Sequence, residues 1–303
     1  MTCRQPEVLV DASSFQADVE YLETLFQHQV VGDTVLPLID IGRGIPLIFV
    51  PILEHLEFVY ARQVRFFSQQ RRVILYRRRE TRRTFTGREE RVEELRGLLN
   101  HLEIMAADFV AHGDGAMVLL EFAMRYPQRC RSLTIVAQGA EYQIRPHPWI
   151  WLLHELYLRL PVEHILSADF LRRTVVNYIV ARQPGLHSLL MEEEQLSVLP
   201  RALIEDQFRK INDWPAVYKY SVLPVIHSFD IRKRLDRLTM PVLLINRFDD
   251  VLAPEARTRW FAQHLPNCAG YHVIAGGERF FLYSQAATVN RIIQDFLERG
   301  AST

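Results

Sequence analysis

The stretch FVAHGDGAMVLLEFAMRYP, Phe109 to Pro127, runs from an apolar segment through Ala-His-Gly-Asp-Gly straight into an apolar helical pattern. Enzymes often hold a nucleophile on such a strand-to-helix turn, where the sharp backbone exposes it. Here the middle residue, Gly113, has no side chain, and the titratable groups beside it are His112 and Asp114. Asp114 opens the helix, where the dipole and the free amides favour a carboxylate. Stabilising the helix end is its plain role. Covalent attack, which carboxylates do perform, is the sharper one. His112 reads either as a packed flank of the turn or as the imidazole nearest to it. Far along the chain, NRFDDVLAP brings Asp249 and Asp250, and VIAGGERFF brings Arg279. An arginine offers a fork of donors to a carboxylate or phosphate, but it stays protonated near neutral pH and cannot act as a general base.

Other chemistry-bearing groups set bounds. Arg77, Arg78, Arg79, Arg82 and Arg83 follow an apolar strand pattern. They read as a solvated loop balanced by Glu80, Glu89 and Glu90, or as a dock for an anionic partner. No stacking aromatics interleave them, so nucleic acid is not expected. Cys3, Cys130 and Cys268 are far apart and match no metal-ligand spacing, so no metal or organic cofactor is implied, and free thiols suit a reducing cytoplasm. Acidic and basic residues balance at 36 each in 303 residues, which gives no global field. The start of the chain has no apolar core behind a basic segment, and no uninterrupted apolar run is long enough for a transmembrane segment. A cytoplasmic protein of unknown oligomeric state is expected.

The elements that must position these groups alternate between strand and helix. VLPLID, PLIFV, RRVILY, ADFVAH and RSLTIVAQ read as strands, and LEFVYARQVRFFSQ, REERVEELRGLLNHL and GAMVLLEFAMRYP as helices between them. From about Ile144 to Leu238 almost everything reads as helix, after which MPVLLIN and YHVIAG restore the strand–helix rhythm. The fold class is therefore α/β: a mostly parallel sheet with helices on both faces, its core formed by 1–143 and 239–303 and a helical cap inserted at 144–238. In the cap, HPWIWLLHELYLRLP carries Trp149, Trp151, Leu152, Leu156, Tyr157 and Leu160. Core packing over the sheet is their default reading. Lining a lipophilic pocket or meeting a membrane or partner surface are the alternatives.

This order of elements resembles the α/β-hydrolase superfamily, in its capped, esterase/lipase-like branch, over nearly the whole chain. HGDGAMVLLEFAMRYPQRCRSLTIV is similar to the nucleophile elbow, its helix and the next strand; FDIRKRLDRLTMPVLLINRFDDVLAPE is similar to the cap exit and the acid loop. The resemblance places Gly113 where the nucleophile belongs, Asp250 in the acid position and Arg279 in the histidine position. It also puts Pro51 and Ile52 where relatives carry an oxyanion-hole His-Gly pair. After VILY, Arg79 and Arg83 match a family arginine pattern, and Arg77 replaces its aspartate. The implied protein is a pseudoenzyme with a degenerate catalytic triad, binding a small anionic or lipophilic ligand or a protein partner. Its pocket candidates are Pro51, Ile52, His112, Gly113, Asp114, Asp250 and Arg279. Asp250 and Arg279 would face each other as a loop-tying salt bridge, or with Arg279 also gripping a ligand's anion. A non-classical lyase, isomerase or cyclase using other pocket residues is the alternative, and an esterase-like hydrolase the third.

Overall fold

A computed structural model describes residues 8–32, 34–142, 148–179, 197–248, 250–275 and 278–301. Cys3, Asp249, the beginning of the 144–238 segment and the side chain of Trp151 lie outside the described residues. One eight-stranded sheet carries the chain: β1 (Gln27–Val31), β2 (Thr34–Ile41), β3 (Pro46–Val50), β4 (Arg72–Tyr76), β5 (Ala107–His112), β6 (Cys130–Val136), β7 (Val242–Arg247) and β8 (Cys268–Ile274). Across the sheet their order is β8-β7-β6-β5-β3-β4-β2-β1. β2 runs antiparallel to β1 and to β4, and every other neighbouring pair is parallel.

The central strands ADFVAH and VLLINR are buried at every position. Helices cover both faces there, so alternation gives way to continuous burial. The edge strand QHQVV is mostly exposed, and its polar residues suit an edge left open to water. The longer helices are α1 (Ala12–Leu25), α2 (Ala61–Phe67), α3 (Arg88–His101), α4 (Asp114–Arg125), α5 (Pro148–Arg159), α6 (Ala168–Ile179), α7 (Arg201–Lys210), α8 (Glu255–His264) and α9 (Ala286–Ala301). α1 and α9 pack on α2, and α3 packs on α4.

Between β6 and β7 the described residues are mainly helical. A π-helical stretch, Tyr218–Val222, joins the short helices Trp214–Val217 and Leu223–Ile226. The all-helix expectation for this segment needs one amendment, because Ser197–Val198 is a short strand paired in parallel with Val8–Leu9. That bridge stitches the segment to the start of the described chain. The ridge on α5 also differs from its default reading. Tyr157 is buried, but Trp149 is 67% exposed, and Leu152, Leu156 and Leu160 are each more than 40% exposed. Trp149, Leu152 and Leu156 recur at helical spacing along one face, with Leu160 just beyond the helix, and that face is turned outward rather than onto the sheet.

Candidate functional site

The site is built where β5 turns into α4. Gly113 closes β5 with φ 56° and ψ −124°, a backbone region that penalises any Cβ. Its amide donates to the Val136 carbonyl at 3.0 Å, and its own carbonyl accepts from Ala116 at 3.1 Å. The turn must also be thin. A Cβ on Gly115 would stand 2.7 Å from the Pro51 carbonyl oxygen and 2.8 Å from that of Val50. Glycine there lets α4 start directly against the end of β3.

A Cβ on Gly113 would meet the Nη2 of Arg279 at 3.3 Å. The guanidinium therefore occupies the space just over the apex of the turn. Three contacts hold Arg279 in place. Its Nη1 donates to Asp250 Oδ1 at 2.7 Å, and its Nη2 donates to the Ala137 carbonyl at 2.9 Å. His112 Nε2 lies 2.9 Å from the Arg279 carbonyl oxygen, which can only accept, so this nitrogen carries the proton. Ala137, at the end of β6, adopts φ 52° without being glycine, a strained backbone whose carbonyl serves Arg279. Asp250 Oδ1 also accepts from the amides of Leu252 and Ala253, each at 2.8 Å. The pair is buried on both sides.

His112 itself is enclosed. Burial, reinforced by the positive charge of Arg279, pushes its pKa down to about 3. Its backbone amide donates to the Tyr60 hydroxyl at 3.0 Å, while that hydroxyl donates to the Val50 carbonyl at 2.8 Å. The imidazole is thus a neutral positioning group for the Arg279 main chain.

Asp114 is held from the other side by Arg78, a residue the sequence did not single out from its run. Arg78 donates through Nη1 to Asp114 Oδ2 and through Nε to Glu80 Oε1, both at 2.7 Å. Burial works against the Arg78 charge, but Glu80 and Asp114 outweigh it and hold its pKa above the ordinary arginine value. Glu80 Oε2 accepts from Arg91 at 3.3 Å and from the Ser221 hydroxyl, which reaches in from the helical segment. The solvated-loop reading of the arginine run is corrected here. Arg78 is buried, Arg77 pairs with Glu23 and Glu57, and Arg82 pairs with Glu54, while Arg79 and Arg83 remain exposed. Of the carboxylates expected to balance it, Glu80 does so, whereas Glu89 pairs with Arg125 and Glu90 accepts from the Gly87 amide. No local cue marked Arg78: the strand before it is buried at every position from Val73 to Tyr76 and so gives no alternation to extend.

Above the turn lies a cavity of about 800 Å³, counted to its open mouth. Ile52, His112, Gly113, Asp114 and Arg279 line it. Pro51 and Asp250, also expected there, do not. Pro51 faces α4 with its carbonyl, and Asp250 sits behind Arg279 in its own loop. The roof comes from the helical segment, through Val175, Phe208, Trp214, Tyr218, Val222 and Ile226. Of the residues singled out there from the sequence, Trp149, Leu152, Leu156, Tyr157 and Leu160 do not border the cavity. Among the described residues, no three His, Cys, Asp or Glu side chains stand close enough to hold a metal ion, and no helix is long and apolar enough to cross a membrane.

The overall fold matches that of a thermophilic esterase from Thermogutta terrifontis, with a TM-score of 0.71 over 91% of this chain and 98% of that one, at 17% identity. This is an α/β-hydrolase fold. No family model matches the chain. Among curated relatives, a pimeloyl-[acyl-carrier protein] methyl ester esterase of Nitrosomonas europaea is 28% identical over 50% of this chain, so the match spans only 56% of that protein. A putative carbamate hydrolase RutD of Caulobacter vibrioides is 25% identical over 79% of this chain and 85% of its own length. Its relatives are thus α/β-hydrolase-fold proteins named as esterase or carbamate hydrolase.

Proposed function

We propose that this α/β-hydrolase-fold protein is a pseudoenzyme, a non-hydrolytic binder of a lipophilic small molecule, with residues 144–238 as the cap that roofs its cavity. The observation that carries this reading is the pairing of a bare apex with an arginine locked over it. Serine-type hydrolysis needs a nucleophile and, beside it, a base that can take its proton. Gly113 supplies no nucleophile, and the guanidinium at the histidine position accepts no proton. His112 does not substitute, because its protonated nitrogen is turned to a main-chain carbonyl and burial keeps the ring neutral. The largely apolar lining of the cavity supports retention of binding where the chemistry is gone.

Names of the relatives favour a second reading, ester or carbamate hydrolysis. Turnover of p-nitrophenyl butyrate separates the two. The native protein is expected to release nitrophenolate no faster than buffer, and Gly113→Ser with Arg279→His is the variant in which turnover would be sought. Turnover by the native chain that vanishes when Val175→Trp fills the cavity would replace the pseudoenzyme reading with the hydrolase one.

A further inference from the structure

We infer that the cavity selects an uncharged lipophile bearing a hydrogen-bond donor, such as an alcohol or phenol, and discriminates against carboxylates and phosphates; this rests on the binding reading above. The cation that would attract an anion is already committed. Arg279 is only 7% exposed, Asp250 balances its charge, and both terminal nitrogens donate within the protein. The second cation near the floor, Arg78, is 2% exposed and committed to Glu80 and Asp114.

What the cavity floor offers instead is an acceptor. Asp114 borders the cavity with its side chain 16% exposed, and only Oδ2 is taken by Arg78. Oδ1 has no partner among the described residues. A neutral hydroxyl donating to this oxygen forms a charge-assisted bond in apolar surroundings, whereas an ionised carboxylate has no proton to give and meets a like charge. Two other lining residues carry buried polar atoms without partners. The free Nδ1 of His112 is an acceptor because Nε2 holds the proton, and the Nε1 of Trp214 is a donor. An alcohol oxygen both donates and accepts, which suits this mixture. Most of the remaining wall, including Leu53, Met117 and Phe280, is apolar and suits a hydrocarbon body, with Tyr142 and Tyr218 also bordering it.

The test compares three probes of equal chain length by calorimetric titration of the full chain near pH 7.5: octan-1-ol, octyl methyl ether and octanoate. The ether keeps the oxygen but lacks the proton, so it separates the need for a donor from charge repulsion. Octan-1-ol is expected to bind about tenfold more tightly than either other probe, consistent with one hydrogen bond to a charged acceptor. Asp114→Asn is expected to bring octanoate to within about threefold of the alcohol, since the like charge is gone. Equal binding of all three, or tighter binding of octanoate, overturns the donor rule while leaving the binding reading intact. If no probe binds the native chain, or if binding survives Val175→Trp unchanged, the reading of the cavity as a binding site fails and the donor rule fails with it. The three-probe comparison on the native chain decides the matter even if the Asp114 variant does not fold.

Discussion

His112 shows how a residue that looks catalytic in a sequence is given a different role by its surroundings. Buried near Phe280 and beside a guanidinium, it lacks the hydration that would stabilise an imidazolium. Its folded pKa, about 3, lies below the value near 6.5 expected of an unfolded histidine. The unfolded chain therefore binds this proton first as the solution is acidified. The stabilising contribution of neutral His112 is complete above pH 6.5 and is lost as pH falls toward 3. At pH 5 the loss from this residue comes to about 2 kcal/mol. His154, brought down to about 4 by burial and by His227, acts in the same direction. In urea unfolding at pH 7.5 and at pH 5, His112→Asn should shrink the difference in stability by about 2 kcal/mol relative to the native chain. An unchanged difference would show that His112 is not held neutral.

At the scale of elements, the meeting of β3, β5 and α4 depends on two glycines for different reasons. At Gly113 the constraint is local, because a side chain there costs about 1–2 kcal/mol for its left-handed backbone, and its nearest neighbour is a side chain, Nη2 of Arg279 at 3.3 Å, rather than main chain. At Gly115 the obstacle is two main-chain oxygens of another segment, which yield only if α4 moves off β3. Gly115→Ala is therefore expected to lower the melting temperature more than Gly113→Ala. The reverse order in a thermal melt would mean that backbone strain, not close approach, governs the turn. The strands of this core were legible because two-sided burial writes itself as unbroken apolar runs such as VLLIN. β1 and α1 were not, since QHQVV is a polar edge strand and ASSFQADVEYLETL buries no more than Phe15, Asp18 and Leu22. In the site, Gly113, Asp250 and Arg279 stood out because each occupies a recognisable position beside a strand end. The Arg78–Asp114 pair did not, because its partners are 36 residues apart and no short pattern encodes their meeting. Trp214 escaped for the same reason, arriving over the floor from a helical segment whose periodicity shows only that it is a helix.

Across the whole molecule, the buried charges bind separate parts of the chain into one body. Arg78 follows β4, Arg91 comes from α3, Asp114 from α4 and Ser221 from the helical segment above the cavity, and Glu80 links Arg78, Arg91 and Ser221. Arg78 is the one member that bridges Glu80 and Asp114, using Nε for the first and Nη1 for the second. Removing it leaves two carboxylates deprived of a shared buried cation, a change that typically costs 3–5 kcal/mol, or about 10 °C in melting temperature for a protein of this size. Arg78→Met keeps much of the side-chain volume and should show that loss in full. Arg78→Lys restores the charge but not the fork, since one ammonium on a flexible stem replaces two donors fixed in a plane. If geometry matters as much as charge, the lysine variant recovers less than half of the lost stability. Its octan-1-ol affinity should fall as well, because Asp114 would no longer be held with one oxygen turned to the cavity. A lysine variant as stable as the native chain would show that charge alone holds the network together, and that the two-pronged reach of Arg78 is incidental.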